Sequence, residues 1–591
     1  MPGIIVEIAK DKLLGNFGNS RMSGLISGVL SDNKTYSVER HTISKFLNDK
    51  AFYEDDKYLV VTEGVILNSL HLQKMYLGTT DSSDRKLAQT IIEMYKKKGE
   101  KFFNDFRGSF SGVFFDKNEG VWLIYTNHIG NKQIFYTQTD NGFAIASEIT
   151  WLTDYRKKNR MGYTLDIQGA YYLLTYAFML EDHTLFNEIK KLTAGKYIRI
   201  QNENMTIETF FALDNTPSKN EKEDEIIENL DLLFRNAIKL EFDKDLEYGY
   251  KHFASLSGGL DSRMDVLVAH QMGYKKQVNW TIGQSDCLDE TIAKKIASDF
   301  KHDWFFKSLD NGNYLINLID DMVDLQFGMV LACGSSHCRS FMQNFNFKEY
   351  GLSHTGQLGD AILGTYLPGR KENSDYIGEG AYSTKLLNRL STFSINEKYD
   401  NSELFKFYNR GFSGILQGDV IDQEYTEVAS PFLDVDFMNY SLHIPASYRK
   451  GEQIYMKWII KKYPDIAKYK WQKINAKITD KWINILGRRI LVKRIPLILI
   501  RKLFPFINKN GKKNLSKNKV NMNPFDYWYL TNPDLREYMD SYYKNTILLV
   551  PEKYHMLKAD MEKLYEGSVI DKELVLTLLG SIKKYFADYS A

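Results

Sequence analysis

Short segments of alternating apolar and polar residues, separated by turn residues, dominate the first 200 positions of the chain. Strand-like runs of this kind lie at residues 58–62, 112–115, 121–126 and 195–200. Apolar residues instead recur with the helical period at residues 84–97 and 165–176. The first part of the chain is therefore predicted to be an α+β domain rich in sheet.

The pattern changes to alternating helices and strands after residue 225. A helix is predicted at 225–240, and strands at 250–256, 277–282 and 303–308 alternate with helices at 263–271 and 289–300. This alternation indicates a doubly wound α/β domain with a parallel sheet, in which ligands bind at the carboxyl ends of the strands. The loop 257–262, directly after the first of these strands, is the place to look for a site.

Polar residues without apolar neighbours fill positions 214–224, as expected of an exposed connection between two cores. The sequence thus predicts domains at 1–213 and 225–479, followed by a basic, helical carboxyl-terminal extension at 480–591. Within the extension, the Lys- and Asn-rich residues 508–523 are predicted to form a loop. The basic, apolar segment 488–506 is interpreted as a packed helix pair, with binding to a membrane surface as the alternative.

Composition and charge narrow the classes of function. The chain has 591 residues, of which 43% are hydrophobic and 26% charged, and this is the composition of a globular protein of several domains. Its net charge of +2 gives no general attraction to nucleic acid or to anionic lipid. We expect no signal peptide and no membrane span, and the three cysteines point to a reducing compartment, by default the cytoplasm.

The loop Ser257-Gly258-Gly259-Leu260-Asp261-Ser262 combines two adjacent glycines with two hydroxyls at the start of a helix. Glycines let the backbone approach an anion, and the helix N-terminus adds aligned N–H groups and its dipole. The loop lacks the spacing of nucleotide-binding loops that end in Gly-Lys and of dinucleotide-binding loops. It resembles the pyrophosphate loop of the ATP pyrophosphatase (PP-loop) superfamily.

A second set of motifs narrows this resemblance. Residues 281–283, 289–293 and 355–366 are similar in order and spacing to the synthetase domain of asparagine synthetases, and so are 430–434, 442–445, 456–460 and 463–464 further on. An amide ligase of this type must first activate a carboxylate as an acyl-adenylate. The pyrophosphate that leaves requires Mg²⁺ on hard oxygen ligands. The expected cofactors are therefore ATP and Mg²⁺.

The resemblance implies roles for individual residues. Asp261 and Asp360 are the expected Mg²⁺ ligands. The expected catalytic cation is Lys473, with Lys470 as a rival, and Lys457 is a further catalytic candidate. The resemblance assigns to ATP and its pyrophosphate the residues Leu256, Ser257, Gly258, Gly259, Leu260, Asp261, Ser262, Ile282, Thr355 and Gly356.

Gln357 stands where asparagine synthetases carry Glu and β-lactam synthetases carry Tyr. Glutamine has no titratable proton and cannot act as a general base, so the amine is activated elsewhere or differs from the one in asparagine synthesis. Two roles remain open for Gln357, which either orients the substrate or only holds the loop.

The amino-terminal part is similar to the glutaminase domain of the same synthetases at residues 107–116, 126–136 and 146–149. That Ntn-hydrolase fold needs a cysteine directly after the initiator methionine, and this position holds Pro2. Residues 63–68 also lose the polar groups that would hold a glutamine amide. We expect a retained fold without glutamine hydrolysis, as in β-lactam synthetases and lasso-peptide cyclases.

The sequence therefore predicts an AMP-forming amide ligase that joins a small-molecule or peptide carboxylate to an amine in a biosynthetic pathway. The alternatives are an ammonia-dependent asparagine synthetase and a non-catalytic ATP-binding relative. A homo-oligomer is possible as an assembly, and no nucleic acid or membrane partner is expected. The motif of Cys333, His337 and Cys338 has no second ligand pair nearby, so it is interpreted as buried thiols beside a surface histidine.

Overall fold

The protein is described here by a computed structural model, which defines residues 2–79, 84–217, 221–368, 376–391, 393, 395, 397–485, 488–492 and 520–587. Its amino-terminal unit contains two six-stranded antiparallel sheets, with strand orders β10-β8-β9-β1-β3-β2 and β12-β11-β7-β6-β5-β4. The strands are β1 (Gly3–Ala9), β2 (Ile26–Ser31), β3 (Tyr36–Thr42), β4 (Phe52–Glu54), β5 (Tyr58–Ile66), β6 (Gly108–Asp116), β7 (Val121–Thr126), β8 (Phe135–Thr139), β9 (Gly142–Ala146), β10 (Lys190–Lys191), β11 (Lys196–Gln201) and β12 (Asn204–Thr209).

The two sheets pack face to face, and helices cover their outer faces. Successive side chains of β6 point to opposite sides of its sheet, so that both sides are covered. Val113 points into the core between the sheets, whereas Phe114 points toward the helices on the other side. These helices are α1 (Ser69–Leu77) and α2 (Asp84–Lys98) on one side, and α3 (Ile149–Lys158) and α4 (Ile167–Tyr176) on the other. The unit is a four-layered helix–sheet–sheet–helix sandwich, the architecture expected of an Ntn-hydrolase-like fold.

The second unit contains a five-stranded parallel sheet with strand order β15-β14-β13-β16-β17. In chain order, its strands and the helices up to residue 354 are α5 (Glu223–Glu247), β13 (Lys251–Ser255), α6 (Asp261–Gln271), β14 (Gln277–Gly283), α7 (Leu288–Phe300), β15 (Asp303–Ser308), α8 (Leu318–Gln326), α9 (Ala332–Met342), β16 (Tyr350–His354) and, further along the chain, β17 (Val428–Ala429). The strand order reverses between β13 and β16, and a crevice therefore opens at their carboxyl ends. The two sequence motifs 257–262 and 355–360 follow these two strands directly.

Further helices surround this sheet, and the last four of them in the described residues pack together near the end of the chain. They are α10 (Leu387–Leu390), α11 (Ser402–Lys406), α12 (Asp419–Asp422), α13 (Val435–His443), α14 (Ala446–Arg449), α15 (Gln453–Lys462), α16 (Pro464–Ala467), α17 (Phe525–Thr531), α18 (Pro533–Thr546), α19 (His555–Tyr565) and α20 (Val569–Ser581). Helix α20 is buried along nearly its whole length and packs against α4 of the first unit and α8 of the second. One shared apolar core therefore joins the end of the chain to both units.

The elements that the sequence predicted up to β15 are present, and most of their bounds agree to within a few residues; α5 continues seven residues beyond its predicted end at 240. One expectation is wrong. Residues 488–491 do not begin a helix; they form a strand, β21 (Arg488–Leu491), which pairs with β20 (Trp482–Ile485) in a hairpin. A further small hairpin joins β18 (Lys470–Trp471) to β19 (Ala476–Lys477). The rest of the expected helix pair and most of the loop expected at 508–523 lie outside the described residues.

None of the helices in the described part of the chain is both long and apolar enough to span a membrane.

Candidate functional site

The loop after β13 is held in shape by hydrogen bonds from its own serines and from α7. The Ser257 N–H donates to Ser262 Oγ at 3.0 Å, and the Gly259 N–H donates to Ser257 Oγ at 3.1 Å. Gly258 donates its N–H to the buried carboxylate of Asp289 at 3.0 Å. These contacts leave the first turn of α6, which begins at Asp261, to present N–H groups that have no acceptor within the helix. The loop is thus preformed, and its geometry is suited to binding an anion.

The sequence did not single out Arg263, which braces this loop from behind. Its guanidinium is fully buried and donates to the carbonyl oxygens of Gly258 at 3.1 Å and Lys470 at 2.7 Å. The loop is also packed tightly, because a Cβ added at Gly258 would lie 2.9 Å from Gln472 Cβ. The segment around residue 471 is therefore fixed against the loop.

The loop after β16 touches the loop after β13. A Cβ added at Gly356 would lie only 2.3 Å from the backbone nitrogen of Ser262, so only glycine fits there. Thr355 is held on its other side by hydrogen bonds from its N–H and hydroxyl to the Ala429 carbonyl, at 2.9 and 3.2 Å. Leu256 and Ile282, expected near adenine, are buried at the ends of β13 and β14. The predicted nucleotide residues therefore meet at one edge of the sheet.

Two carboxylates lie side by side where the loops meet. The Asp360 N–H donates to Asp261 Oδ2 at 3.2 Å, and the Tyr455 hydroxyl donates to Asp261 Oδ1 at 2.9 Å. Burial, together with the nearby charge of Asp360, raises the pKa of Asp261 to about 8. The protein therefore compensates only part of the negative charge of this pair, and hard carboxylate oxygens are the ligands that Mg²⁺ prefers. The residues present fit a magnesium site.

Lys473 is the cation that the structure brings to this acid pair. Its Nζ lies 3.9 Å from Asp360 Oδ2 and donates to Glu452 Oε1 at 2.6 Å. Glu452 is buried, and Thr365 also donates to it, at 3.1 Å. The sequence did not predict Glu452. This residue is the N-cap of α15 and has a left-handed backbone conformation, with φ 59°.

The other two lysines do not join this cluster. Lys457 lies on α15 and pairs with Glu223 at 2.6 Å on the surface, with 48% of its side chain exposed. Two residues earlier on the same helix, Tyr455 faces Asp261, and a helix turns about 200° over two residues. The exposed Lys470 contributes only its backbone carbonyl, as the acceptor for Arg263. These positions favour Lys473 over Lys470 and take Lys457 away from the loops.

Gln357 is fixed by a buried acid. Its Nε2 donates to Asp419 Oδ1 at 2.8 Å, and Asn131 of the first unit donates to Asp419 Oδ2 at 2.9 Å. Burial raises the pKa of Asp419 to about 6, although both amides oppose the shift. Gln357 Oε1 is buried and has no hydrogen-bond partner among the described residues. The amide therefore presents a fixed acceptor oxygen.

A cavity of about 360 Å³ adjoins Gln357. Its wall is mainly apolar and includes Phe178, Val330, Leu331, Ile415, Phe525 and Ile570. The polar groups that line it include Arg410, whose guanidinium lies 5.5 Å from the Tyr382 ring centroid, and Asp422. The Nε of Arg410 has no hydrogen-bond partner in the described part of the chain. Such a cavity suits a ligand with an apolar body and few polar groups.

The motif of Cys333, His337 and Cys338 also lines this cavity, which corrects one expectation. His337 is not a surface residue. Burial lowers the pKa of His337 to about 4, and its buried Nδ1 has no hydrogen-bond partner among the described residues. Cys333 is a buried thiol as expected, while Cys338 is half-buried at the cavity wall. No sequence pattern indicated this cavity, because residues far apart in the chain form it.

A buried network of charges joins the two units. Lys50 Nζ lies 3.1 Å from Glu63 Oε1 and 3.3 Å from Glu427 Oε1, and Lys132 Nζ lies 2.7 Å from Glu427 Oε2. Lys50 also donates to Thr42 at the end of β3, beside the start of β1. Charged groups that bind one another thus occupy the region next to Pro2.

The first unit is a sandwich of two antiparallel sheets, and the second is a parallel-sheet unit with a glycine-rich loop at the carboxyl end of its first strand. Residues 39–211 match the family described as the glutamine amidotransferase domain. A protein of Methanocaldococcus jannaschii named as a candidate glutamine-hydrolyzing asparagine synthetase is 27% identical over 334 residues, which cover 54% of this chain and 62% of that protein. The glutamine-hydrolyzing asparagine synthetase 1 of Bacillus subtilis is 23% identical over 325 residues, which cover 53% of this chain and 48% of that protein.

A further M. jannaschii protein with the same type of name is 22% identical over 454 residues, covering 76% of this chain and 73% of that protein. For the first two relatives, the match spans between about half and two thirds of their length. These matches confirm the resemblance that the motifs predicted. Over part of its length the chain is similar to asparagine synthetases, and its residues 39–211 match a glutamine amidotransferase domain.

Proposed function

We propose that this protein is an ATP-dependent, AMP-forming amide ligase that adenylates a carboxylate and couples it to an amine without hydrolysing glutamine. The observation that carries the proposal is the meeting of Asp261, Asp360 and Lys473 at the contact between the two loops. In this arrangement the carboxylates and the cation converge next to a preformed anion-binding turn. A non-catalytic nucleotide-binding protein would have no need of this convergence.

Each group has a distinct task in the proposed reaction. The loop 257–262 and the first turn of α6 bind the phosphates, and Asp261 and Asp360 hold Mg²⁺. When bound, this ion neutralises the charge of the departing pyrophosphate. Lys473 stabilises the negative charge that develops on the acyl phosphate, and Glu452 keeps its ammonium group in place. Gln357 Oε1 accepts an N–H of the amine and orients it.

The cavity beside Gln357 supports a proposal for the class of substrate. Its apolar wall favours a carboxylate or amine with an apolar body, and Arg410 provides a place for a second anionic group. Aspartate is small and has no apolar body. We therefore place amide formation in a lactam, peptide or tailoring pathway ahead of the synthesis of asparagine.

The amino-terminal unit supports the absence of glutamine hydrolysis. Pro2 stands where β1 begins, and the thiols of the chain, Cys287, Cys333 and Cys338, all belong to the second unit. Next to this position, Lys50 and Thr42 hold Glu63 through its Oε1 atom. A glutaminase of this fold has no nucleophile in such an arrangement.

The experiment is an assay of pyrophosphate and AMP release from Mg-ATP. The panel pairs apolar carboxylates, with and without a second carboxylate, with ammonium, free amines or internally linked amines, and it includes aspartate. The asparagine synthetase alternative is tested by aspartate with ammonium. Asp360→Asn and Lys473→Ala serve as loss-of-function variants, and Lys457→Ala, a surface lysine of similar exposure, serves as the matched control.

We expect equal amounts of AMP and pyrophosphate with an apolar carboxylate, loss of both in the first two variants, and normal release in Lys457→Ala. Turnover that depends on glutamine would refute our account of the first unit. If ATP binds by calorimetry but no substrate in the panel releases pyrophosphate, the non-catalytic alternative gains support.

A further inference from the structure

Five ionisable side chains form a buried cluster where α5 and α6 pack on β13 and β16. They are Glu241 and Asp245 of α5, Asp265 of α6, His252 of β13 and His354 of β16, and each is at most 5% exposed. The proposed reaction uses none of them. Clusters of this size are unusual in a protein interior because each charge must be compensated.

The burial of the Asp265 carboxylate is not compensated by hydrogen bonds. Asp265 is 0% exposed, and neither of its carboxylate oxygens has a hydrogen-bond partner among the described residues. Burying a polar group without a partner is destabilising, and burying an unpaired charge is more so. A retained carboxylate in this position points to a ligand that is not part of the chain.

The geometry around Asp265 is that of a metal site. One ligand atom each from Glu241, Asp265 and His354 lie within 4.8 Å of one another, and His354 Nδ1 is 3.4 Å from Glu241 Oε2. Ligands that bind one ion at about 2.0–2.2 Å lie roughly 3–4 Å apart. The three groups are therefore close enough to share an ion after only small movements.

Asp245 orients the histidine of this set. Its Oδ2 is 2.8 Å from His354 Nε2, which leaves Nδ1 of the same ring facing Glu241. Asp245 itself is held by the Leu352 N–H at 2.8 Å and by His252 Nδ1 at 2.9 Å. A carboxylate behind a histidine ligand is the usual arrangement in metal sites, because it fixes the ring and raises its basicity.

The second possible set, Asp245 with both histidines, does not suit an ion. In that set His252 Nδ1 and His354 Nε2 lie 2.9 and 2.8 Å from the same Asp245 oxygen, the distances of direct hydrogen bonds, so these groups satisfy one another.

We propose that Glu241, Asp265 and His354 bind a divalent transition metal ion of the Zn²⁺ type, with Asp245 orienting His354. One imidazole with two carboxylates favours such an ion over Mg²⁺, which prefers oxygen ligands and keeps several waters. The ion connects α5, α6 and β16. His354 directly precedes the loop 355–360, and Asp265 lies one turn after Asp261 on α6, so the ion fixes the base of both loops.

The test measures metal in the full-length protein. The protein is purified without chelator, and its metal content is determined by mass spectrometry. It is then stripped by chelator under mild denaturation, refolded with Mg²⁺ present, and titrated with Zn²⁺ and Co²⁺ while Co²⁺ absorption and the melting temperature are followed. The variants are Asp265→Asn and Glu241→Gln, with Asp245→Asn for the orienting role. Asp360→Asn controls for the other acid pair, and Asp243→Asn for an exposed carboxylate on α5.

We expect one tightly bound ion per chain, a Co²⁺ spectrum with a nitrogen ligand, and a melting temperature that rises with Zn²⁺. Asp265→Asn and Glu241→Gln should lose the ion, Asp245→Asn should bind about 10- to 100-fold more weakly, and both controls should keep it. A wild-type protein that is folded, holds no transition metal and binds neither Zn²⁺ nor Co²⁺ would overturn the proposal. This result needs no variant to fold, and it would leave the proposed ligase activity unaffected.

Discussion

The backbone N–H of Asp360 donates to the side chain of Asp261, so one carboxylate belongs to both loops of the site. Asp261 at the start of α6 is thereby a ligand candidate and also a support for the loop after β16. The two acids are consequently unequal in role, and substitutions at these two positions should separate binding of Mg²⁺ from positioning of the loop.

Asp360→Asn should lower kcat by at least about 100-fold and raise the Mg²⁺ concentration needed for half-maximal rate, because a metal ligand contributes several kcal/mol to the transition state. Asp261→Asn should lose activity equally and also bind ATP more weakly, since the loop contact is altered. Asp286→Asn is the control, because Asp286 has a left-handed φ of 64° that Asn also adopts. Normal Mg²⁺ dependence in Asp360→Asn would contradict the metal assignment.

Removing the ammonium group of Lys473 should affect chemistry more than binding. We expect Lys473→Ala to reduce kcat by about 100-fold or more with little change in the KM for ATP, as for other groups that stabilise developing charge. Lys470→Ala should stay near wild type, since only its backbone contacts the loop. Steady-state kinetics on both variants checks this, and an equal loss in Lys470→Ala would reopen the choice between the two lysines.

Asp422 should make stability depend on pH. Burial and the nearby Asp419 raise the pKa of Asp422 to about 7. The pKa of Asp422 is thus higher in the folded than in the unfolded protein. The stability that this carboxyl group contributes is therefore present at low pH and is lost as the pH rises toward and through 7. Between pH 5 and pH 8 we expect the free energy of unfolding to fall by about 2 kcal/mol from this group. Denaturant titrations of wild type and Asp422→Asn should show a smaller fall in the variant; equal slopes would exclude Asp422 as the source.

Breaking the charge network between the units should be costly. Lys50→Met leaves Glu63 and Glu427 buried with less compensation and should destabilise the protein by about 3–5 kcal/mol. The exposed pair of Lys96 and Glu93 is the control, and Lys96→Met should change the free energy of unfolding by less than about 1 kcal/mol. Urea unfolding measures both, and a mild effect of Lys50→Met would show that water reaches the network.

A methyl group at Gly356 should push the loops apart. Gly356→Ala places a carbon 2.3 Å from the Ser262 nitrogen, and we expect a cost of about 1–3 kcal/mol with a large loss of ATP affinity. Gly162→Ala is matched in chemistry and has open space around its Cβ, so it should behave as wild type. Calorimetry with ATP distinguishes the two.

Local sequence patterns were sufficient for much of the fold. The strand-like run at 112–115 predicted the centre of β6, and the spacing of apolar residues predicted α2 and α5, because these elements bury a face that is regular in sequence. The hairpin at Arg488–Leu491 was missed because four basic and apolar residues fit a helix as well as a strand. Pairing across a turn decided the outcome.

The site was predictable where its residues belong to contiguous motifs, as in 257–262 and 355–360. It was not predictable where distant segments meet. Asp419, Glu452 and Arg263 act through contacts across the fold, and His337 lines a cavity although its sequence surroundings suggest a surface helix. Lys457 shows the converse error, since a matching motif does not reveal which side of a helix faces the loop.

The buried network of Lys50, Glu63, Lys132 and Glu427 has a consequence for the history of this chain. It pairs two positive charges with two negative charges across the boundary between the units, so a change at one position leaves an unbalanced charge in the interior. Among homologous proteins, these four positions should therefore either change together or stay the same. An amino-terminal unit that lost its enzymatic role would still be retained, because deleting it would expose Glu427 without its partners.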